Sequence, residues 1–215
     1  MERPSPARRP VQRALKRALD ALAAALGLLA LALPFAAVAL AVKLDSRGPV
    51  FFLQERVGRN GKPFHIWKFR TMVEGAAQQG LGLTVAQGDA RITRVGGWLR
   101  DWGLDELPQL VNVLRGEMSL VGPRPTLAHQ VAHYTARQRR RLAVRPGITS
   151  LAVVRGRNAL RWAERIELDV WYVEHWSLWL DVRILARTLW VVLVTREGVY
   201  GEGGVNDDFG SSKQG

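Results

Sequence analysis

One stretch of the chain places two adjacent acids where a helix must begin: Arg100-Asp101-Trp102-Gly103-Leu104-Asp105-Glu106-Leu107-Pro108-Gln109, running into Leu110-Val111-Asn112-Val113-Leu114. Proline is tolerated only in the first turn of a helix, so Pro108 sets the helix start near Asp105. Asp105 then occupies or adjoins the N-cap with Glu106 beside it, both in the positive end of the helix dipole. Such a position keeps a carboxylate ionised and also attracts phosphate. Two readings fit Asp105 here: a helix cap, or a carboxylate that does chemistry.

Fixed cations favour the second reading. Gly122-Pro123-Arg124-Pro125 holds Arg124 between two prolines, and Pro125 pushes the Arg124 backbone toward extended conformations. A planar guanidinium on so stiff a strut suits phosphate oxygens. Lys68-Phe69-Arg70 and Arg145-Pro146-Gly147 add further cations on stiffened segments. Each alone is an ordinary solvated charge; together they outline a diphosphate pocket. No G-x-G-x-x-G opens a helix, and no G-x-x-x-x-G-K-[ST] is present. Of the four histidines, His129 and His133 stand at i, i+4 without the H-E-x-x-H glutamate, so all four (with His65 and His175) read as surface or interfacial residues.

The elements that must position these groups are legible in outline. Val50–Leu53 and Phe64–Phe69 read as strands, and Asn60-Gly61 supplies the residues of a type I′ turn, giving a β-hairpin over about 50–70. Val73 to Asp89 reads as a mobile loop. A helical pattern starts at Arg91, Gly116 ends one helix, and a further helix is expected over Leu127 to Leu142. Trp162 to Val194 reads as helical, with Trp171, Trp176, Trp179 and Trp190 among basic residues. Those rings suit either helices lying on a membrane surface or a packed core.

Upstream, Ala21 to Val42 carries no charge and as a helix would be about 33 Å long, enough for a hydrocarbon core of about 30 Å. The run exceeds the apolar stretch of a signal peptide. Arg3, Arg8, Arg9, Arg13, Lys16 and Arg17 precede it, while Lys43, Arg47, Arg56, Arg59 and Lys62 follow it. Both clusters belong on the cytoplasmic side by the positive-inside rule, which a straight span cannot satisfy. Pro34 removes the hydrogen bond to the Ala30 carbonyl, so a helix that bends there and returns satisfies it. A mildly kinked spanning helix is the alternative.

Composition sets the frame. The chain has 215 residues, 47% hydrophobic and 23% charged, enough to bury a core. Its net charge of +12 calls for an anionic partner: nucleic acid, an acidic membrane or a phosphorylated substrate. No cysteine is present, which excludes disulfides, thiolate nucleophiles and Cys-ligated zinc. Eight tryptophans suggest base-stacking surfaces or anchors at the membrane interface. Residues 1–15 are expected as a basic disordered tail, 16–43 as a membrane helix, re-entrant or kinked, 44–198 as one folded domain, and 199–215 as a flexible tail. The expected fold class is α+β and mostly helical.

Taken in order, these residues resemble the bacterial sugar transferases, or small monotopic phosphoglycosyl transferases. The resemblance runs from Lys16-Arg17 to about Val194. It rests on Gly48-Pro49-Val50-Phe51, Gln54 with Arg56 and Gly58, Lys68-Phe69-Arg70-Thr71-Met72, Leu104–Gln109, Met118–Pro125 and Arg145-Pro146-Gly147-Ile148-Thr149. Gly156-Arg157-Asn158-Ala159 and Glu167–Val173 most resemble the branch that includes the phospho-bacillosamine transferase of bacterial protein glycosylation.

The resemblance implies a re-entrant hairpin in the bacterial inner membrane, a catalytic domain on the cytoplasmic face, and magnesium. It also implies an Asp-Glu dyad at Asp105 and Glu106. The aspartate would attack the β-phosphorus of a UDP-sugar, UMP would leave, and a polyprenol phosphate such as undecaprenyl phosphate would take the phosphosugar. Phosphate or nucleotide would fall to Lys68, Arg70, Arg100, Gln109, Arg124 and Arg145, and magnesium to Asp105. The sequence departs from the family pattern at Leu33, where serine often precedes the helix-breaking proline. It departs again at Leu151-Ala152-Val153, where an aromatic-Ala-Gln run is usual. Two rival readings remain: a basic membrane- or nucleic-acid-binding protein without catalysis, and an enzyme in which polyprenol phosphate attacks directly in a ternary complex.

Overall fold

The computed structural model describes residues 10–79, 85–86 and 88–195. The C-terminal tail, residues 1–9 of the basic tail and the centre of the 73–89 loop lie outside the described residues. The architecture is α+β and mostly helical, as the sequence patterns require, with two small two-stranded sheets.

Helix α1 spans Pro10–Ala30 and α2 spans Ala32–Asp45, so residues 10–15 are helical rather than part of a tail. The two axes meet at 63°. Leu31 sits at the break, just before Pro34, whose missing N–H leaves the Ala30 carbonyl without its helical donor. No single described helix is long and apolar enough to cross a membrane, while the bent pair passes by length and composition together. Much of α2 is bare: Leu33, Leu40 and Leu44 are exposed.

Strands β1 (Phe51–Val57) and β2 (Pro63–Phe69) pair antiparallel from Phe51 opposite Phe69 to Val57 opposite Pro63. Asn60 and Gly61 in the connection both take positive φ, as the turn chemistry requires. The inner side of the hairpin meets the helices. Phe69 stacks on Phe51 and meets the edge of Phe35 from α2. Ala24 of α1 packs with Phe64 and Ile66 of β2 and with Leu110, Val113 and Met118.

Helix α3 (Arg94–Asp101) begins later than Arg91, because Thr93 caps it by accepting from the Gly96 N–H at 3.0 Å. Arg91 instead ties down the described ends of the loop before it. Its guanidinium donates to the Ala76 and Gln79 carbonyls and pairs with Asp89. A 3-10 turn over Leu104–Gln109 leads directly into α4 (Leu110–Arg115), which Gly116 closes at φ 83°.

A parallel pair, β3 (Ser119–Val121) with β4 (Gly147–Thr149), has no counterpart in the sequence analysis. Three-residue strands carry too little alternation to be seen, and parallel partners far apart in sequence leave no turn signal. The helix expected over Leu127–Leu142 is broken into α5 (Ala128–Ala132), α6 (Ala136–Arg139) and a 3-10 turn, because Thr135 and Gln138 form a capping box that restarts it. After α7 (Leu151–Arg155), the Trp162–Val194 segment divides into α8 (Trp162–His175) and α9 (Leu178–Trp190), where Ser177 caps the second helix. A single π-helical turn, Val191–Thr195, follows. The tryptophans divide too. Trp176 is buried and donates to Asp181, whereas Trp171, Trp179 and Trp190 are exposed.

Candidate active site

The 3-10 turn Leu104–Gln109 brings the two acids into one pocket with different neighbours. Gly103, in the left-handed region at φ 64°, precedes the turn, so glycine rather than Asp105 occupies the cap position and no side chain caps it. Asp105 is freed from that role. It is buried, and among the described residues its carboxylate makes no hydrogen bond or ion pair.

Glu106 is the opposite case. Its Oε1 accepts from Lys68 Nζ at 2.7 Å and from Arg124 Nη2 at 2.6 Å, and its Oε2 accepts from Arg124 Nη1 at 3.2 Å. The Arg124 contact is therefore the planar, two-pronged kind. Burial pushes the Asp105 carboxyl up, Glu106 adds to this, and Lys68, Arg100 and Arg124 oppose it without cancelling it. Burial acts on Glu106 in the same direction, but Arg124 and Lys68 outweigh it and hold Glu106 well below the usual carboxylate range. Two neighbouring carboxylates thus become unlike: one permanently charged and clamped, one unpaired and basic.

Each cation has its own scaffold. Lys68 rides on β2, and β2 is fixed to α4 by the wholly buried Asn112. Its Oδ1 accepts from the Trp67 N–H at 3.0 Å, and its Nδ2 donates to the His65 carbonyl and to Glu117, both at 2.7 Å. Arg100 sits on α3, with its Nε donating to Thr71 Oγ1 at 2.8 Å. Close approach of α3 to that segment needs Gly96, where a Cβ would lie 2.1 Å from the Thr71 carbonyl oxygen. Arg124 projects from the proline strut after β3, and the strut is held from behind. Arg141 Nη2 donates to the Arg124 carbonyl at 2.9 Å, and Arg141 is itself paired with buried Asp169 and with the Tyr134 hydroxyl. Thr126, just beyond the strut, accepts from the Val57 N–H at 2.8 Å.

Two residues of the expected binding set are employed otherwise, and a third is buried with an unpartnered amide. Arg70 is buried and donates to the carbonyls of Arg47, Ser46 and Val42, so it closes the end of α2. Arg145 Nε donates to the Gly116 carbonyl at 2.7 Å, and the charges that act on it are Arg17, Arg59, Asp20 and Arg13 rather than the dyad. Gln109 is wholly buried, and its Nε2 has no partner among the described residues.

In exchange the fold delivers a cation that residue types and spacing did not single out. Arg157 takes φ 51°, unusual outside glycine, and its Nη2 would lie 3.8 Å from a Cβ placed on Gly103. Burial lowers its proton affinity, Arg124 lowers it further, and Glu106 and Asp105 raise it. No local signal marks it, because its approach depends on the turn after α7. Asn112 and Asp169 were likewise visible only as polar residues among apolar ones, and Arg141 only as one of a run of arginines.

Among the described residues no three His, Asp or Glu side chains gather as a metal cage. A magnesium ion needs no such cage, since it commonly takes one or two carboxylates and completes its shell with water and substrate phosphate. Asp105 has a free carboxylate for that purpose, while both oxygens of Glu106 are engaged. The donor set therefore fits magnesium through Asp105.

Comparison with known proteins places the chain in a family. Residues 11–195 match the family described as bacterial sugar transferase. The chain is 48% identical over 158 residues to the uncharacterized sugar transferase EpsL of Bacillus subtilis, covering 74% of this chain and 76% of that one. It is 48% identical over 190 residues to a UDP-glucose:undecaprenyl-phosphate glucose-1-phosphate transferase of Caulobacter vibrioides, covering 84% of this chain and 70% of that one. An Escherichia coli protein of the same name is 42% identical over 201 residues, and there the match spans only 42% of the relative. With the whole described body of the chain matched, and with the charged pocket built from the matched segment, the protein belongs to the bacterial sugar transferase family.

Proposed function

We propose that the chain is a phosphoglycosyl transferase that moves a sugar-1-phosphate from a UDP-sugar to a polyprenol phosphate through a covalent aspartyl intermediate. One observation carries this reading: a buried carboxylate without a partner, Asp105, beside a glutamate that Lys68 and Arg124 hold in place. A carboxylate used only as a cap or surface charge has no need of burial, of that clamp, or of a third cation in Arg157. A charge-driven nucleic-acid binder gives no reason for the pair.

An Asp105 oxygen attacks the β-phosphorus and forms a new O–P bond. The bond from that phosphorus to the oxygen bridging the two phosphates breaks, and its electron pair leaves with UMP. An oxygen of polyprenol phosphate then attacks the same phosphorus. The Asp105–phosphorus bond breaks, Asp105 returns as a carboxylate, and a polyprenol diphosphosugar is released. Lys68 and Arg124, oriented through Glu106, face the phosphoryl oxygens together with Arg100 and Arg157, where fixed donors are most effective. Magnesium held by Asp105 would neutralise charge on the diphosphate.

The membrane reading rests on the 63° break at Leu31, the bare apolar side of α2 and the basic residues at both ends. α1 and α2 enter and leave on the cytoplasmic face of the bacterial inner membrane, with Trp171, Trp179 and Trp190 at headgroup depth. This puts the acceptor phosphate beside the dyad. The test is incubation with a panel of UDP-sugars (UDP-glucose, UDP-galactose, UDP-diacetylbacillosamine) without lipid. We expect a burst of UMP and a mass gain of one phosphosugar on the peptide bearing Asp105. UMP formed only when undecaprenyl phosphate is added supports the ternary-complex route instead.

A further inference from the structure

A second group of cations lies apart from the dyad, around a small cleft of about 60 Å³ between α1, the β-hairpin turn and the segment before β4. Arg13 and Lys16 reach it from α1, Arg59 from the turn, and Arg145 from the far side, with Tyr172 and Trp176 at its base. Two carboxylates stand nearby, and both are committed. Asp20 accepts from the Ser119 hydroxyl at 2.7 Å and from the Leu120 N–H at 3.3 Å. Asp181 accepts from Lys16 Nζ at 2.7 Å, from the Tyr172 hydroxyl at 2.6 Å and from Trp176 Nε1 at 3.0 Å.

The arginines are not balanced in this way. Arg145 and the adjacent Arg17 donate to the neutral carbonyls of Gly116, Val113 and Leu114. Arg13 and Arg59 have no carboxylate partner among the described residues, and the Arg59 Nε is buried without an acceptor. Burial lowers the proton affinity of Arg13, and Arg59 lowers it further; burial and then Arg17, Arg59 and Arg13 do the same to Arg145, against Asp20. The chain therefore holds like charges together around open space. Such an arrangement is relieved by a bound anion with several acceptor oxygens.

We infer that this cleft is a second phosphate-binding site, separate from the dyad and filled by the phosphate group of a membrane lipid or of a soluble phosphate. None of the charges acting on Asp105 (Lys68, Glu106, Arg100 and Arg124) is shared with those acting on Arg145. The inference stands whether or not Asp105 is a nucleophile. Arg13 precedes the apolar run on α1, so an acidic headgroup at the membrane surface is within its reach if α1 enters a bilayer.

The full chain in neutral detergent tests it, with Arg124→Gln/Arg157→Gln as the background so that phosphate at the dyad does not contribute. Inorganic phosphate is one probe; nanodiscs of phosphatidylglycerol against phosphatidylcholine are the other. We expect Tm to rise with phosphate, or in phosphatidylglycerol over phosphatidylcholine, and Arg13→Gln/Arg59→Gln to abolish the rise. The first pattern assigns a soluble occupant and the second a lipid. Without any anion, the double variant should melt no lower than its background, since removing repelling charges costs no side-chain hydrogen bond or ion pair among the described residues. Arg13→Gln alone, at the start of α1, should weaken the anion effect in the same direction. A rise of equal size in Arg13→Gln/Arg59→Gln, no rise with either probe, or a large loss of Tm in both variants without anion overturns the inference.

Discussion

Glu106→Gln tests whether the glutamate organises the cations rather than reacting. In the native chain Glu106 receives one hydrogen bond from Lys68 and two from Arg124. A glutamine keeps one acceptor oxygen, but its NH2 cannot accept from a guanidinium. At least one charge-assisted contact is lost, and the others weaken to contacts with a neutral oxygen. Hydrogen bonds to charged groups contribute ~1.5–3 kcal/mol each. The Lys68 and Glu106 side chains are 18% exposed and that of Arg124 is 43% exposed, so the Arg124 share is screened and falls at the lower end. A combined loss of about 2–4 kcal/mol corresponds to about 30- to 700-fold in UMP formation at ~1.4 kcal/mol per decade. A second signature has the opposite sense. The Glu106 charge raises the proton affinity of Asp105, so removing it should make Asp105 a stronger acid while turnover falls. Turnover is read as UMP release, and the carboxyl by 13C NMR titration of metal-free protein. Activity within about threefold of wild type, or an Asp105 titration that moves upward, refutes the reasoning.

Other outcomes follow from the same geometry. Asp105→Asn should abolish both the UMP burst and the phosphosugar adduct while the protein still folds in membranes; a tenth of wild-type activity, roughly 1.4 kcal/mol of barrier, would be too much for a lost nucleophile. Arg157→Gln should slow UMP release without lowering Tm, since Arg157 lies near the dyad and makes no hydrogen bond among the described residues; an unchanged rate removes it from the site. Gly147→Ala should lower stability by more than the ~1–3 kcal/mol of ordinary overpacking, because its Cβ would lie 2.1 Å from the Gly122 backbone nitrogen and 2.4 Å from the Thr149 carbonyl oxygen; thermal unfolding in detergent measures this. With no native cysteine, Ser5→Cys and Ser46→Cys report topology directly: an impermeant thiol reagent should label neither in intact spheroplasts and both after lysis, whereas one labelled site means a spanning helix.

What the sequence determined by itself was local. Pro108, Gly116, the Asn60-Gly61 turn and the apolar run with Pro34 act through backbone sterics over a few residues, so the elements they bound could be read directly. The proline-flanked Arg124 and the Asp105-Glu106 pair were legible for the same reason. Helix interruptions at Thr135 and Ser177 were missed, although their capping side chains are local too; across Ser177 the apolar residues continue on both sides of the break. The tertiary structure alone decided which cations meet the dyad. Lys68, Arg124 and Arg157 come from separate segments, while Arg70 and Arg145, equally basic and equally close to prolines or strands, are spent on backbone carbonyls. It also decided that Asp105 stays unpaired while Glu106 is clamped. Charge and spacing specify which side chains are available; burial and long-range contacts between β2, α3 and the strut determine which of them share a pocket, and so which carboxylate is left to react.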